Sequence, residues 1–209
     1  MRSYKRQIRL THLLVELLAH RMTTEFALQT QRLRLRRLTV NDSEFILTLY
    51  NDPDFIRNIA DRGLRTLYDA RVFITRAPRS AYANIGYGLL CVDEIASDQA
   101  IGVCGLVKRD ELPDSDLGFA LLPKWRKRGY AHEAAAAVVD FARHALCLPR
   151  LLGIVLPSNM PSIHVLEAVG MRFVRPLPWP ADGSTVSLFA VDLLKNLTPA
   201  AATDPPQPA

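Results

Sequence analysis

The chain has 209 residues, 49% hydrophobic and 22% charged, as expected for a single globular domain with its own core. The formal charge of +5 is unevenly spread: residues 1–37 hold nine Lys/Arg and two Asp/Glu (+7), and the rest hold seventeen and nineteen (−2). No uninterrupted apolar run approaches the roughly 20 residues that cross a bilayer.

The first 30 residues form a basic extension. "MRSYKRQIRLTHLLVELLAHRM" places Ile8, Leu13, Leu14, Leu17 and Leu18 between basic flanks. Glu16 interrupts the apolar part and no small-residue cleavage site follows, which argues against a signal peptide. An amphipathic appendage helix, or a true start at Met22, fits better. Residues 195–209, proline- and alanine-rich, read as a disordered tail.

Between them, residues 31–194 read as one α/β (α+β) domain. "QRLRLRRLTV" alternates Leu33 and Leu35 with arginines, the pattern of a half-exposed strand. Asn41 or Asp42 then caps a helix carrying Phe45, Ile46 and Leu49, which Asn51-Asp52-Pro53 ends. A shorter helix is expected over 67–75. "YGLLCVDE" and "AIGVCGLVKR" form a hairpin, and "SDLGFALLP" a third strand. From Gly129, Ala131, Ala134, Ala135, Val138, Ala142 and Ala145 make the apolar stripe of a closely packed helix. "RLLGIVLP" is a strand, "NMPSIHVLEAVG" a helix stopped by Gly170, and "STVSLFAVDL" the closing strand. Cys91, Cys104 and Cys147 lack CxxC spacing and sit in apolar contexts, which reads as buried free thiols in a reducing cytosol.

"PKWRKRGYAHEAAAAVV" sets four cations and a glycine against the start of that central helix. A helix N-terminus exposes unpaired N–H groups and about half a positive charge. Glycine permits close backbone approach, so the segment suits a phosphate. The alternative is a solvated basic turn. No GxxxxGK[ST] and no GxGxxG after a strand is present. "HEAAA" lacks the second histidine of a zinc protease, and His132, His144 and His164 are not spaced for a metal.

Arg126-Lys-Arg-Gly129-Tyr-Ala131 resembles the Q/R-x-x-G-x-G/A pyrophosphate loop of the GNAT N-acetyltransferase superfamily. "RLRLRRLTVND", "SDLGFALLPKWRKRGYAHEA" and "NMPSIHVLEAVGM" resemble, in order, segments of its ribosomal-protein-alanine (RimJ/RimL-like) branch. The resemblance implies a central mixed, mostly antiparallel twisted sheet with helices on both faces. It implies acetyl-coenzyme A as co-substrate, a primary amine as acceptor, no metal, and a cytoplasmic monomer or homodimer. The N–H groups of Arg126, Lys127, Arg128, Gly129, Tyr130 and Ala131 would hold the pyrophosphate. The backbone of Leu121 and Leu122 would pair with the pantetheine arm, one amide polarising the thioester carbonyl. Asn159 and Ser162 would lie near the thiol.

Two departures stand out. Lys127 stands where many branch members have glycine, so a slightly different turn is expected, since lysine resists φ > 0. Leu166 stands where the wider superfamily often has a proton-donating tyrosine, which leaves Ser162, Tyr130 or water. Asp116 occupies the branch's acidic position; the alternative is an edge-strand carboxylate facing solvent. Ser162 is either catalytic or a second capping hydroxyl, and Asn159 either lies by the thiol or is only the cap. Glu133, in the first helical turn, reads as structural. The acceptor pocket is expected between 52–63 and "PLPWPADGS", which leaves the acceptor's identity open. A catalytically silent acyl-coenzyme A sensor, or a nucleic-acid module built on "RLRLRR" and the basic extension, are the other readings.

Overall fold

The computed structural model describes residues 28–179 and 183–194. The basic extension up to residue 27 and the tail from 195, and with them the readings of a helix, a leader or disorder, lie outside the described residues.

An eight-stranded sheet runs in the order β1-β2-β3-β4-β5-β6-β8-β7. β1 (Leu28–Gln29) pairs with β2 (Leu33–Arg37), so the sheet begins three residues before the expected domain start at Gln31. On β2, Leu33 and Leu35 are fully buried, as their alternation requires. The arginines between them are not left bare. Arg34 pairs with Asp98 and Asp93, and Arg36 forks onto Asp42 and Asp93. β3 (Leu89–Glu94) and β4 (Gln99–Val107) form the expected hairpin, with a bulge at Val92/Asp93.

Three helices follow β2: α1 (Ser43–Tyr50), α2 (Pro53–Asn58) and α3 (Leu67–Ile74). α2 was missed in the sequence because Asp52-Pro53 reads as a stop. Asp52 instead caps it, accepting from the Phe55 N–H at 3.0 Å, with Pro53 at the first helical position. Asp42 precedes α1 without a side-chain cap bond; its carboxylate accepts instead from Thr39 and Arg36. α3 runs through a π-helical stretch, Thr75–Arg79, into α4 (Ser80–Asn84). Pro78, which lacks an N–H, sits inside that stretch and accounts for the wider turn.

β5 (Asp116–Leu121) leads through a 3-10 turn, Pro123–Trp125, to α5 (Tyr130–His144). β6 (Arg150–Val155), α6 (Met160–Ala168), β7 (Arg172–Pro178) and β8 (Thr185–Asp192) complete the domain. The sheet separates two cores. One packs Ala134, Ala135, Val138 and Ala142 of α5, with Leu166 of α6, against the strands. The other packs Ile46, Leu49, Phe55 and Ile74 of α1–α3 on Cys91 and Val103. Among the described residues no helix is long and apolar enough to cross a membrane, and no cluster of metal-binding side chains occurs. Cys91 and Cys104 are buried, but Cys147 is exposed, because it follows the end of α5 with φ 50°.

Candidate active site

The site is an opening in the sheet. β5 and β6 run parallel and share one register pair, Asp116 with Leu152. Beyond it β5 stays paired with β4 as far as Leu121, while β6 stays paired with β8 as far as Val155, and the two diverge. The Leu122 N–H donates to Ile101 O at 2.9 Å. In an antiparallel ladder alternate residues face the partner strand, so Leu122, Ala120 and Gly118 turn their amides to β4. Phe119 and Leu121 turn theirs into the opening. The Leu122 amide is therefore bonded within the sheet and not free for the arm, contrary to expectation, while the Phe119 amide points into the opening. Leu121 O already accepts from the Arg126 Nε at 2.9 Å.

At one mouth lies the loop before α5. Gly129 is the N-cap, with φ 81°, and no side chain caps the helix. The first N–H groups of α5 thus point outward unpaired. Lys127 has φ 61°, so lysine does adopt the left-handed turn that glycine would take more cheaply. The supporting chain is rigid: Arg126 binds Asp52 and Asp54, and Trp125 lies 5.9 Å from Tyr130. The four cations do not all face the cleft. Lys124 and Arg128 sit over Trp125, at 5.0 and 5.4 Å, and Arg126 is neutralised by its two carboxylates. Lys127 lines the cleft together with Gly129, Tyr130 and Ala131, in a space of about 380 Å³. Arg128 presents its carbonyl to Arg32 instead.

Tyr130 is not placed to protonate a thiolate. It is buried, and its hydroxyl donates to Glu94. Glu133 is structural: it accepts from Thr30 and from the Arg32 main chain and guanidinium, tying β1–β2 to α5. Burial acts against its charge, but Thr30 and Arg32 prevail and hold its carboxyl below the ordinary range.

α6 starts beside the same cleft. Asn159 is its cap, accepting from the Ser162 N–H at 3.3 Å. The Ser162 hydroxyl makes no hydrogen bond among the described residues, so it is not a second cap. Asn159 and Ser162 both line the 380 Å³ cleft and also a 530 Å³ chamber across the opening. Leu166, one turn further, is 2% exposed and belongs to the core.

Asp116 sits where the strands part. β5 is internal and Asp116 is 1% exposed, so the edge-strand, solvent-facing alternative does not hold. Burial pushes its carboxyl above the usual aspartate range, against the Arg109 guanidinium, which donates from Nε at 2.9 Å. Arg109 also lies over Trp179, 5.8 Å from the ring. Trp179, Asp116 and the chain from Ile56 to Arg62 line the 530 Å³ chamber, where the acceptor pocket was expected. Arg109 and Phe119 were not singled out in the sequence: neither carries a spacing signal, and only the sheet register brings them here.

The chain matches the acetyltransferase (GNAT) domain family over residues 32–172. It is 26% identical over 174 residues to the uncharacterized N-acetyltransferase p20 of Bacillus licheniformis, covering 81% of this chain and 96% of that one. Its fold is similar to the crystal structure of an acetyltransferase from Agrobacterium tumefaciens, with a TM-score of 0.67, 28% identity, and 78% and 92% of the two chains covered. The ribosomal-protein-S5-alanine acetyltransferase of Vibrio fischeri shares the fold alone, with a TM-score of 0.62, 14% identity, and 82% and 98% covered. A sheet that parts beside an uncapped, glycine-led helix, on a chain matching the family model over most of its length, makes this protein a member of the GNAT acetyltransferase family.

Proposed function

We propose that the protein transfers the acetyl group of acetyl-coenzyme A to a primary amine, in the cytoplasm and without a metal. The observation that carries this reading is the parted β5–β6 pair, which has an anion-binding helix start at one mouth and a buried carboxylate at the other. The residues suit coenzyme A. The first N–H groups of α5 and Lys127 match a pyrophosphate in charge. The inward amides of Phe119 and Leu121 match an extended arm that adds to the strand edge.

Acetyl-coenzyme A supplies an activated thioester. The amine nitrogen bonds to its carbonyl carbon, the carbon–sulfur bond breaks, the nitrogen loses a proton, and the thiolate gains one. An inward amide, best placed at Phe119, polarises the carbonyl oxygen. Asp116 takes the proton. It lies three residues from Phe119, about 10 Å along a strand at ~3.3 Å per residue, so the proton reaches it through water in the chamber. Ser162, whose hydroxyl is uncommitted and faces the cleft, delivers a proton to the sulfur. Leu166 lines the chamber but has no polar atom with which to take part.

The ordered RimJ/RimL-like segments support that branch, but they do not select an acceptor. The nucleic-acid reading loses its basis on β2, where Arg34 and Arg36 are held by Asp98, Asp93 and Asp42. The test is thiol release from acetyl-coenzyme A, alone and with an amine panel that includes N-terminal Ala and Ser peptides, polyamines and aminoglycosides. Amine-dependent release with matching acetylated product supports the enzyme. Tight coenzyme A binding without turnover would make the protein a sensor instead.

A further inference from the structure

Across the opening from the anion-binding loop, the acceptor side has two chambers. The outer one holds Asp116 and Arg109 in about 530 Å³. The inner one, about 460 Å³, lies between the sheet and the helices α1–α4. Their walls share Ile59, Arg62, Arg109, Gly118 and Phe119, so the two adjoin.

The sheet side of the inner chamber is apolar, with Val103 and Leu106 of β4 beside the small Gly118 and Ala120 of β5. Tyr50, Phe55 and Phe73 form the roof, with Tyr50 4.3 and 4.8 Å from the other two rings. At about 460 Å³, and open to solvent beside Ala77 and Asn84, the chamber has the size of a ligand pocket, about 300 to 1,000 Å³. Its charge is one-sided: Arg62, Arg76, Lys108 and Arg109 line it, and no carboxylate does. Lys108 is occupied by the carbonyls of Leu112 and Pro113, and Arg109 by Asp116. Arg62 and Arg76 have neither a hydrogen bond nor an ion pair among the described residues. Arg62 lines both chambers, which places it where they meet.

We propose that the acceptor is an α-amino acid with an apolar side chain, held with its amine in the outer chamber, its carboxylate on Arg62 and its side chain in the inner chamber. This rests on the acetyltransferase reading and names its substrate class. The three groups of such an acceptor leave one carbon in three directions, matching the outer chamber, the Arg62 junction and the inner chamber that meet there. A polyamine meets the opposite conditions: its second cation would enter a space lined by arginines without a carboxylate to receive it.

The test compares acetylation of phenylalanine, leucine, glycine, phenylalaninamide, phenethylamine and spermidine by the full chain. Phenylalanine and leucine are expected to exceed each of the others in kcat/KM by at least about tenfold, the scale set by a charged contact or an apolar pocket. Arg62→Gln should remove the advantage of phenylalanine over phenylalaninamide by raising KM for the acid. Ala77→Phe, at an exposed position that lines the inner chamber and not the coenzyme A cleft, should remove the advantage of phenylalanine over glycine. Coenzyme A affinity, measured by calorimetry, reports whether each variant is folded. If spermidine or phenethylamine leads the series, or if Arg62→Gln leaves the acid-to-amide ratio unchanged, the proposal is overturned while the acetyltransferase reading stands. Absence of acetylation with every amine overturns both.

Discussion

At the scale of single residues, the loop before α5 holds two left-handed positions with opposite chemistry. Gly129, with φ 81°, takes the conformation freely, and Lys127, with φ 61°, takes it at a cost of roughly 1–2 kcal/mol. Lys127→Gly is therefore expected to raise thermal stability by a few degrees, about 2–4 °C per kcal/mol for a chain of this size. Gly129→Ala should lower stability by a similar amount and weaken coenzyme A binding, because the new Cβ would meet the Arg32 guanidinium at 3.3 Å beside the open N–H groups. Melting curves and calorimetry check both; a Gly129→Ala protein with unchanged coenzyme A affinity would remove the loop from the site. Asp42 makes a different kind of prediction. Burial works against its charge, but the bonds from Arg36 and Thr39 prevail and hold its carboxyl below the usual range. A depressed folded value means that the stabilisation is present above the ordinary carboxylate range and lost as pH falls through the folded value. Asp42→Asn should thus cost about 1.5–3 kcal/mol at neutral pH, the scale of hydrogen bonds to a charged group. The difference from the parent should close below about pH 4. Denaturant titration at several pH values measures this, and a difference independent of pH would contradict it.

At the scale of elements, the site depends on how β5, β6 and α6 leave their register. Ser162 sits in the first turn of α6 with its N–H taken by Asn159 and its hydroxyl free. Ser162→Ala should lower kcat at least about tenfold, the low side of general acid–base assistance, without changing coenzyme A affinity. Single-turnover rates and calorimetry separate the two; an unchanged kcat would assign the thiolate's proton to water. Much of this was legible in the sequence, because alternation on β2 and the alanine stripe of α5 are periodic signals that tertiary packing left intact. The loop, too, was legible, since glycine and cations before an apolar stripe carry a local physical meaning. What escaped was non-local. Asp52-Pro53 reads equally as the end of α1 and the cap of α2, and only packing of Phe55 on Tyr50 decides between them. That Leu122 faces β4 while Phe119 faces the opening follows from strand register, which no residue in the segment announces. The cations of the loop were visible, but their diversion to Asp52, Asp54 and Trp125 was not, because those partners come from elsewhere in space or point away from the cleft.

At the scale of the whole molecule, one sheet separates two large cores, with a smaller cluster of Leu112, Leu152 and Leu188, and the site lies where its middle opens. The family match begins at residue 32 and the described sheet at Leu28. A chain starting at Met22 is accordingly expected to keep the kinetic constants of the full chain; a large loss of turnover in a folded, soluble protein would assign the basic segment a part in the site. The central claim is that the opening is where an amine loses its proton and takes up an acetyl group, with Asp116 as the base. A peptide α-amino group has a pKa near 8 and that of a free amino acid lies higher, so near neutral pH most of the acceptor arrives protonated and must be relieved of a proton. The most direct measurement is the pH–rate profile of the parent and Asp116→Asn with the best acceptor, together with coenzyme A affinity. The account requires a kcat at least about tenfold lower in the variant near neutral pH, unchanged coenzyme A affinity, and a defect that shrinks as rising pH supplies free amine. Matching profiles from about pH 6 to 9 would contradict it.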